Sequence, residues 1–257
     1  MGDNTVRMPT LFVGHGTPMN AIENNQFTVV WKSLARDLPK PKSILCFSAH
    51  YAGDESLVVT ADKPQTIHDF YGFPEELNRK QYPTPGSPSL AHRVMDLFPD
   101  ARPTKDWGID HGAWSVLCQM YPGADIPVVQ ISLHLALPGA EMMAIGRRLR
   151  PLRDEGVLIL GSGNVAHNLR RMSFGQSEPF PWARAFDEKV RELVKNRQYD
   201  LIADYMTLPG ARESVPTNEH FVPLLYVLGA SDEHDTPVPF CAEYVFGSLS
   251  MTGYIFS

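Results

Sequence analysis

The chain has 257 residues, 43% of them hydrophobic, with a formal net charge of −6. That length allows a sizeable core, and an acidic chain without a Lys/Arg-rich run argues against a nucleic-acid or anionic-membrane partner. Its longest apolar stretches, about eight residues, fall far short of the roughly 20 needed to span a bilayer.

Residues 1–10 contain no basic segment followed by an apolar one, so no signal peptide is expected. Gly2 invites myristoylation, but Val6 stands where Ser or Thr is wanted. Short apolar, β-rich runs then recur at 10–13, 44–47, 57–60, 128–133 and 157–160. They are bounded by Gly, Ser, His or Asp and do not alternate with polar residues, the pattern of strands buried on both faces. Helical patterns lie between and after them. One covers 89–97. A second, 139–156, has early acid, late base and a terminal Gly156; a third covers 181–196. A further helix is expected from near Thr217, followed by two strands within 241–257. The alternation predicts an α/β fold, a single domain over 1–257 with a mostly parallel central sheet flanked by helices. Prolines are scattered through turns, and no stretch reads as a flexible linker. Cys46, Cys118 and Cys241 are odd in number and far apart. They suit a reducing cytoplasm and are read as buried packing residues.

In open α/β sheets, ligands bind beyond the carboxyl ends of the strands. His15, His50 and the loop 161–167, which ends in His167, fall at the expected strand exits. Of nine histidines, His92 and His234 sit among polar residues and are read as surface, and His134 as structural. The other six are His15, His50, His68, His111, His167 and His220. Any one alone reads as a hydrogen-bonded, half-buried imidazole. Together they point elsewhere, because polar groups at strand ends cost desolvation unless paired. Convergence on a metal, at the carboxyl ends of the strands, would satisfy them. Imidazole suits iron, zinc, copper or nickel, whereas calcium would want more carboxylates. The stretch Gly161-Ser162-Gly163-Asn164-Val165-Ala166 matches G-x-G-x-x-A, but no second strand carrying an acid follows, so dinucleotide binding is not expected. Gly14 to Met19 has no P-loop lysine, and neither segment is a nucleophile elbow.

Eight blocks carry a resemblance: LFVGHGTPMN, SAHY, TIHDFYGFP, YPTPGSPSLA, WGIDHGAWSVL, VQISL, LGSGNVAHNLR and PTNEHFVPLLYVLGA. In this order, from about Met8 to Ser250, the chain resembles the 4,5-DOPA extradiol dioxygenase family, a branch of the class III, LigB-type ring-cleaving dioxygenases. The resemblance implies a mononuclear non-haem Fe(II) and O₂-dependent cleavage of a catechol ring beside its hydroxyls. It also implies His15 and His50 as the first two metal ligands. The third position, at the start of the helix ending VLGA, holds His220 where distant relatives have a glutamate; Glu219 beside it is the alternative. His167 matches the active-site base or, if zinc occupies the site, a fourth ligand. His111 matches the acid, and Asp110, His68 and Asn164 are expected to face the substrate. The partners expected are a small catechol and O₂, and the chain is expected to be a monomer or small homo-oligomer. Two rivals fit the residues alone: a zinc-dependent hydrolase, and a non-catalytic metal-binding protein on the same fold.

Overall fold

The computed structural model describes residues 6–176 and 178–257; the reading of Gly2 lies outside them. Among the described residues ten strands follow in chain order: β1 (Thr10–Gly14), β2 (Ser43–Gly53), β3 (Leu57–Val59), β4 (Arg102–Thr104), β5 (Val128–His134), β6 (Val157–Gly163), β7 (Pro237–Phe240), β8 (Tyr244–Val245), β9 (Leu249–Ser250) and β10 (Gly253–Phe256). Eight form one sheet in the order β4-β3-β5-β2-β6-β1-β10-β7, and β8 and β9 pair separately. The centre, β5-β2-β6-β1, is parallel, as the unbroken apolar runs require. At one side β10 and β7 add antiparallel.

Successive side chains of a strand point to opposite faces, and both faces are covered. Phe12, Leu45, Phe47, Val129 and Ile131 pack into one core with the helices Gly139–Leu149, Pro181–Lys195 and Pro223–Ala230. Leu11, Val13, Ile44, Cys46, Val128, Leu158 and Leu160 pack into the other with Trp31 and the helix His111–Met120. Every residue of Pro223–Ala230 is buried, as expected of a helix that is apolar all round. Arg153, 1% exposed, ties the chain ends to this core: it grips Asp235 through two contacts of 2.6 Å and donates to the Met8 and Ala230 carbonyls.

Several expectations need correction. The helix expected over 139–156 ends at Leu149 and gives way to a 3-10 turn, Arg150–Arg153; Pro151 lacks the N–H that another α turn would use. The helix expected from near Thr217 starts at Pro223, a residue suited to a first helical position. His220 therefore precedes the helix rather than opening it. Residues 241–257 hold three strands, not two, and only β10 joins the main sheet. β4 and β7 gave no apolar run, since both lie at the sheet's edges and carry proline. Cys241 is half-buried, not buried, with a positive φ of 50°. No helix among the described residues is long and apolar enough to cross a membrane.

Candidate metal centre

β1, β2 and β6 end side by side, and their ends carry the first ring of the site. His15 immediately follows β1; its backbone N–H donates to the Gly163 carbonyl at the end of β6. His50 does not stand at a strand exit, as the sequence had suggested. β2 continues to Gly53, and its pairing with β5 slips between Phe47 and Ala52. That irregularity frees residues 48–51 from the pairing with β5, although Ser48 still pairs with Ser162 of β6, and bulges commonly re-aim side chains beside active sites. The segment holding His220 is pressed onto the end of β6. A Cβ on Gly163 would sit 2.1 Å from the His220 carbonyl oxygen, so only glycine permits this approach, and the Asn164 N–H donates to that same oxygen at 2.8 Å.

Five imidazoles meet here. Ring centroids lie 5.2 Å apart for His15 and His50, 5.3 Å for His15 and His220, 5.1 Å for His50 and His220, and 3.8 Å for His50 and His111. His167 stacks on His220 at 3.5 Å with ring planes 4° apart. The donor atoms fall into two groups: His15, His50 and His111 in one, and His167, Glu219 and His220 in the other. The expected ligand set of His15, His50 and His220 is thus drawn from both.

The hydrogen-bond network assigns the ring protons. His15 Nδ1 lies 3.0 Å from Ser162 Oγ, whose own proton goes to the Gly112 carbonyl at 2.5 Å; Nδ1 must therefore be the donor. His50 Nδ1 lies 3.0 Å from one oxygen of Asp69, and His111 Nδ1 lies 2.9 Å, in poor alignment, from the other. His220 Nδ1 lies 3.1 Å from Glu219 Oε1. In each neutral ring the remaining nitrogen, Nε2, carries the lone pair. His15 Nε2 and His50 Nε2 face each other at 3.3 Å. Two bare lone pairs at that distance repel unless a proton or a cation lies between them. A proton there would sit on His50, which Asp69 and Asp110 favour, and not on His15: burial first, then the neighbouring imidazoles, push His15 well below its ordinary value, and the same causes act on His220. Two nitrogens each about 2.0–2.1 Å from one tetrahedral ion would be about 3.3 Å apart. The donor set fits a divalent cation.

The remaining expected residues separate. Burial lowers His167 to about 4 and also lowers His111, with Asp69 pulling His111 the other way. Burial works against a proton on His50, but Asp69 and Asp110 outweigh it and raise the ring above its usual value. Glu219 stands behind His220 and also accepts from Thr217 Oγ1. The three residues expected to face the substrate are placed as follows. Asp110 is fully buried; its oxygens accept from Ser48 Oγ at 2.6 Å, Ala113 N at 3.1 Å and Gln130 Nε2 at 2.8 Å. It caps the His111 helix from below the site. Asn164 is also fully buried, donating to the Ser250 carbonyl at 2.7 Å. His68 turns its Nε2 to the Lys80 carbonyl and packs on Phe70 and Trp114. The residue that reaches the imidazoles is its neighbour Asp69, which sequence reasoning passed over. Its only signal was adjacency to His68, and a loop without periodicity does not tell which of two neighbours faces inward. A separate cleft of about 500 Å³, lined in part by Glu55, Arg102, His134 and Arg148, contains none of the five imidazoles.

An α/β domain with a knot of buried imidazoles at the carboxyl edge of its sheet has the make-up of a histidine-ligated metalloenzyme. Residues 9–253 match the family described as the catalytic LigB subunit of aromatic ring-opening dioxygenase. The chain belongs to this LigB family, whose extradiol dioxygenases are metal-dependent. It is 45% identical to the 4,5-DOPA dioxygenase extradiol of Escherichia coli K12, over 96% of this chain and 94% of that one. It is 38% identical to the 4,5-DOPA dioxygenase extradiol of Beta vulgaris, over 100% and 99%. A crystal structure described as an uncharacterized protein from Escherichia coli K12 superposes with a TM-score of 0.84 at 41% identity, covering 98% of this chain and 100% of that one.

Proposed function

We propose that the protein is an extradiol dioxygenase that opens a catechol such as L-DOPA at the 4,5 position to a muconate semialdehyde. The reading assigns His15, His50 and His220 to a mononuclear Fe(II), in a cytoplasmic protein; zinc can occupy the same ligands. The observation that carries it is the pair of facing nitrogens, His15 Nε2 and His50 Nε2, 3.3 Å apart in a largely buried cluster. Relatives named as 4,5-DOPA dioxygenases, matching nearly end to end, support the substrate class.

Bound iron would supply a Lewis acid that lowers the catechol hydroxyl pKa and an electron path to O₂. The chain's own residues do the rest. His15 and His220 are kept neutral by burial, the form a ligand needs. His167, held near 4, is neutral at pH 7, and its lone pair is free to accept the second catechol proton. The Ser214 carbonyl and β9 fix its backbone: His167 N–H donates to Ser214 at 2.8 Å, and the residue bridges to Leu249. His111, when protonated, has Asp69 at 2.9 Å beside its Nδ1, and the reading makes it the acid that would return a proton during ring opening. His111 is assigned to this role, and His50 to the metal, by the family resemblance of the segments that carry them, DHGAW and SAHY.

The test is oxygen uptake with simultaneous absorbance. Protein stripped of metal is reloaded anaerobically with Fe(II) or Zn(II) and given L-DOPA and a panel of catechols. Iron-dependent O₂ consumption with a yellow product is expected. No uptake by iron-loaded protein with any catechol would overturn the reading, and turnover of an ester or amide without O₂ would favour the hydrolase.

A further inference from the structure

One carboxylate serves two rings of the cluster. Asp69 Oδ2 lies 3.0 Å from His50 Nδ1, and Oδ1 lies 2.9 Å from His111 Nδ1. Oδ1 also accepts from the His111 backbone N–H at 3.1 Å. The loop that carries Asp69 is fastened just ahead of it. Thr66 bridges to Ile109, the Ile67 N–H donates to the Ile109 carbonyl at 2.8 Å, and Trp114 Nε1 donates to the Ile67 carbonyl at 2.8 Å. Asp69 is therefore held against the start of the His111 helix.

An ionised carboxylate only accepts. Asp69 Oδ1 already accepts from the His111 backbone N–H, and both of its oxygens face ring nitrogens. Each ring must then turn an Nδ1–H toward Asp69, and each neutral ring is left with its lone pair on Nε2. For His50 that is the nitrogen facing His15. Had Asp69 been an amide, its oxygen could accept from one ring while its NH₂ faced the other. The facing ring would then need a lone pair on Nδ1 and a proton on Nε2, where a cation has to bind.

We propose that Asp69 is a positioning residue that sets the tautomers of His50 and His111 together, so that one carboxylate prepares both a metal ligand and a proton donor. The proposal deepens the reading given above, since it rests on His50 as a ligand and His111 as the acid. It separates Asp69 from Asp110, whose oxygens are spent on Ser48, Ala113 and Gln130. Asp69 touches neither substrate nor metal in this account; it acts through the rings.

The test compares Asp69→Asn with the unsubstituted protein. Asparagine keeps the volume and keeps an oxygen to cap the His111 N–H, so a purely structural role would survive the change. Zinc affinity is measured by competition with a chromogenic chelator, and a loss of about 10- to 100-fold is expected, the range usual for groups that orient a metal-binding histidine. Asp69→Glu is expected to recover part of it. In the unsubstituted, metal-free protein, at a pH high enough for both rings to be neutral, ¹⁵N shifts of the histidine rings are expected to show protonated Nδ1 and bare Nε2 at both His50 and His111. Wild-type zinc affinity in Asp69→Asn, or a protonated Nε2 at either neutral ring, would overturn the proposal. The ring shifts need no folded variant. Neither readout needs catechol turnover, so failure of the ring-cleavage reading would be seen separately, in the absence of O₂ uptake.

Discussion

Gly112→Ala tests whether the position of His50 matters as the geometry requires. Gly112 lies in the first turn of the helix His111–Met120. A Cβ there would sit 2.5 Å from Ser48 Oγ, 2.8 Å from His50 Cδ2 and 3.3 Å from Asp110 Oδ1. Carbon atoms pack at about 3.5–4.0 Å, so the His50 ring would have to retreat by roughly 0.7 Å or more. Neither neighbour is free to give way. Ser48 Oγ donates to Asp110 at 2.6 Å, and His50 Nδ1 is held by Asp69 at 3.0 Å. Replacing a helical glycine by alanine ordinarily gains about 1 kcal/mol, and overpacking a core costs about 1–3 kcal/mol. The net loss of fold stability is therefore about 0–2 kcal/mol, a fall in Tm of a few degrees at about 2–4 °C per kcal/mol. A displacement of about 1 Å in a reacting geometry costs on the order of 10²-fold. Iron-dependent O₂ uptake should thus fall by roughly two orders of magnitude, and zinc affinity in chelator competition by about 10- to 100-fold, while the protein stays folded. Gly53→Ala is the control: its Cβ meets nothing within 4 Å, and both readouts should stay at wild-type values. Wild-type metal affinity and turnover in Gly112→Ala would refute the placement of His50 at the metal.

Three further outcomes are expected. His167→Ala should retain its metal and lose turnover by about 10²–10⁴-fold, the usual contribution of a general base; a metal-free variant, measured by elemental analysis, would make His167 a ligand instead. The metal-free protein should lose stability in acid. His15, His167 and His220 are depressed, so the unfolded chain takes up protons below about pH 6.5 while the folded chain does not, and stability is lost as pH falls. For His167 the window runs from about 6.5 down to about 4, a loss of about 3 kcal/mol; His50, which is raised, offsets part of this. Thermal melts at pH 7.5, 6 and 4.5 check it, and a Tm that rises toward pH 4.5 would contradict the sign. Asp235→Ala leaves the Arg153 guanidinium, 1% exposed, without its partner. A cost of about 3–5 kcal/mol is expected, read as a Tm lower by roughly 10 °C, with zinc affinity at low temperature unchanged.

The central strands were legible because residues buried on both faces leave no polar alternation: 10–13, 44–47, 128–133 and 157–160 each lie within an observed strand. The short edge strands β4 and β7 left no such trace, since an edge tolerates proline and polar residues. The sequence by itself also supplied the donor types, six histidines set off from the surface ones, and their ordered motifs pointed to the ring-opening dioxygenases. Chemistry of this kind is legible because an imidazole at a strand end is costly unless something uses it.

Only the tertiary structure decided which polar groups face one another. Asp110, Asn164 and Asp69 look alike in the sequence, each beside a histidine or in a motif around one. The fold spends Asp110 on Ser48 and Gln130 and Asn164 on the Ser250 carbonyl, and turns Asp69 to two imidazoles. His50 reaches His15 because β2 slips its register after Phe47, and His220 does so because Gly163 lets a second backbone come within contact. Residue type sets what a side chain can bond. Which bond it makes depends on partners far away in sequence, as with Asp110 and Ser48 or Asn164 and Ser250, and those become neighbours only when the sheet and its covering helices pack.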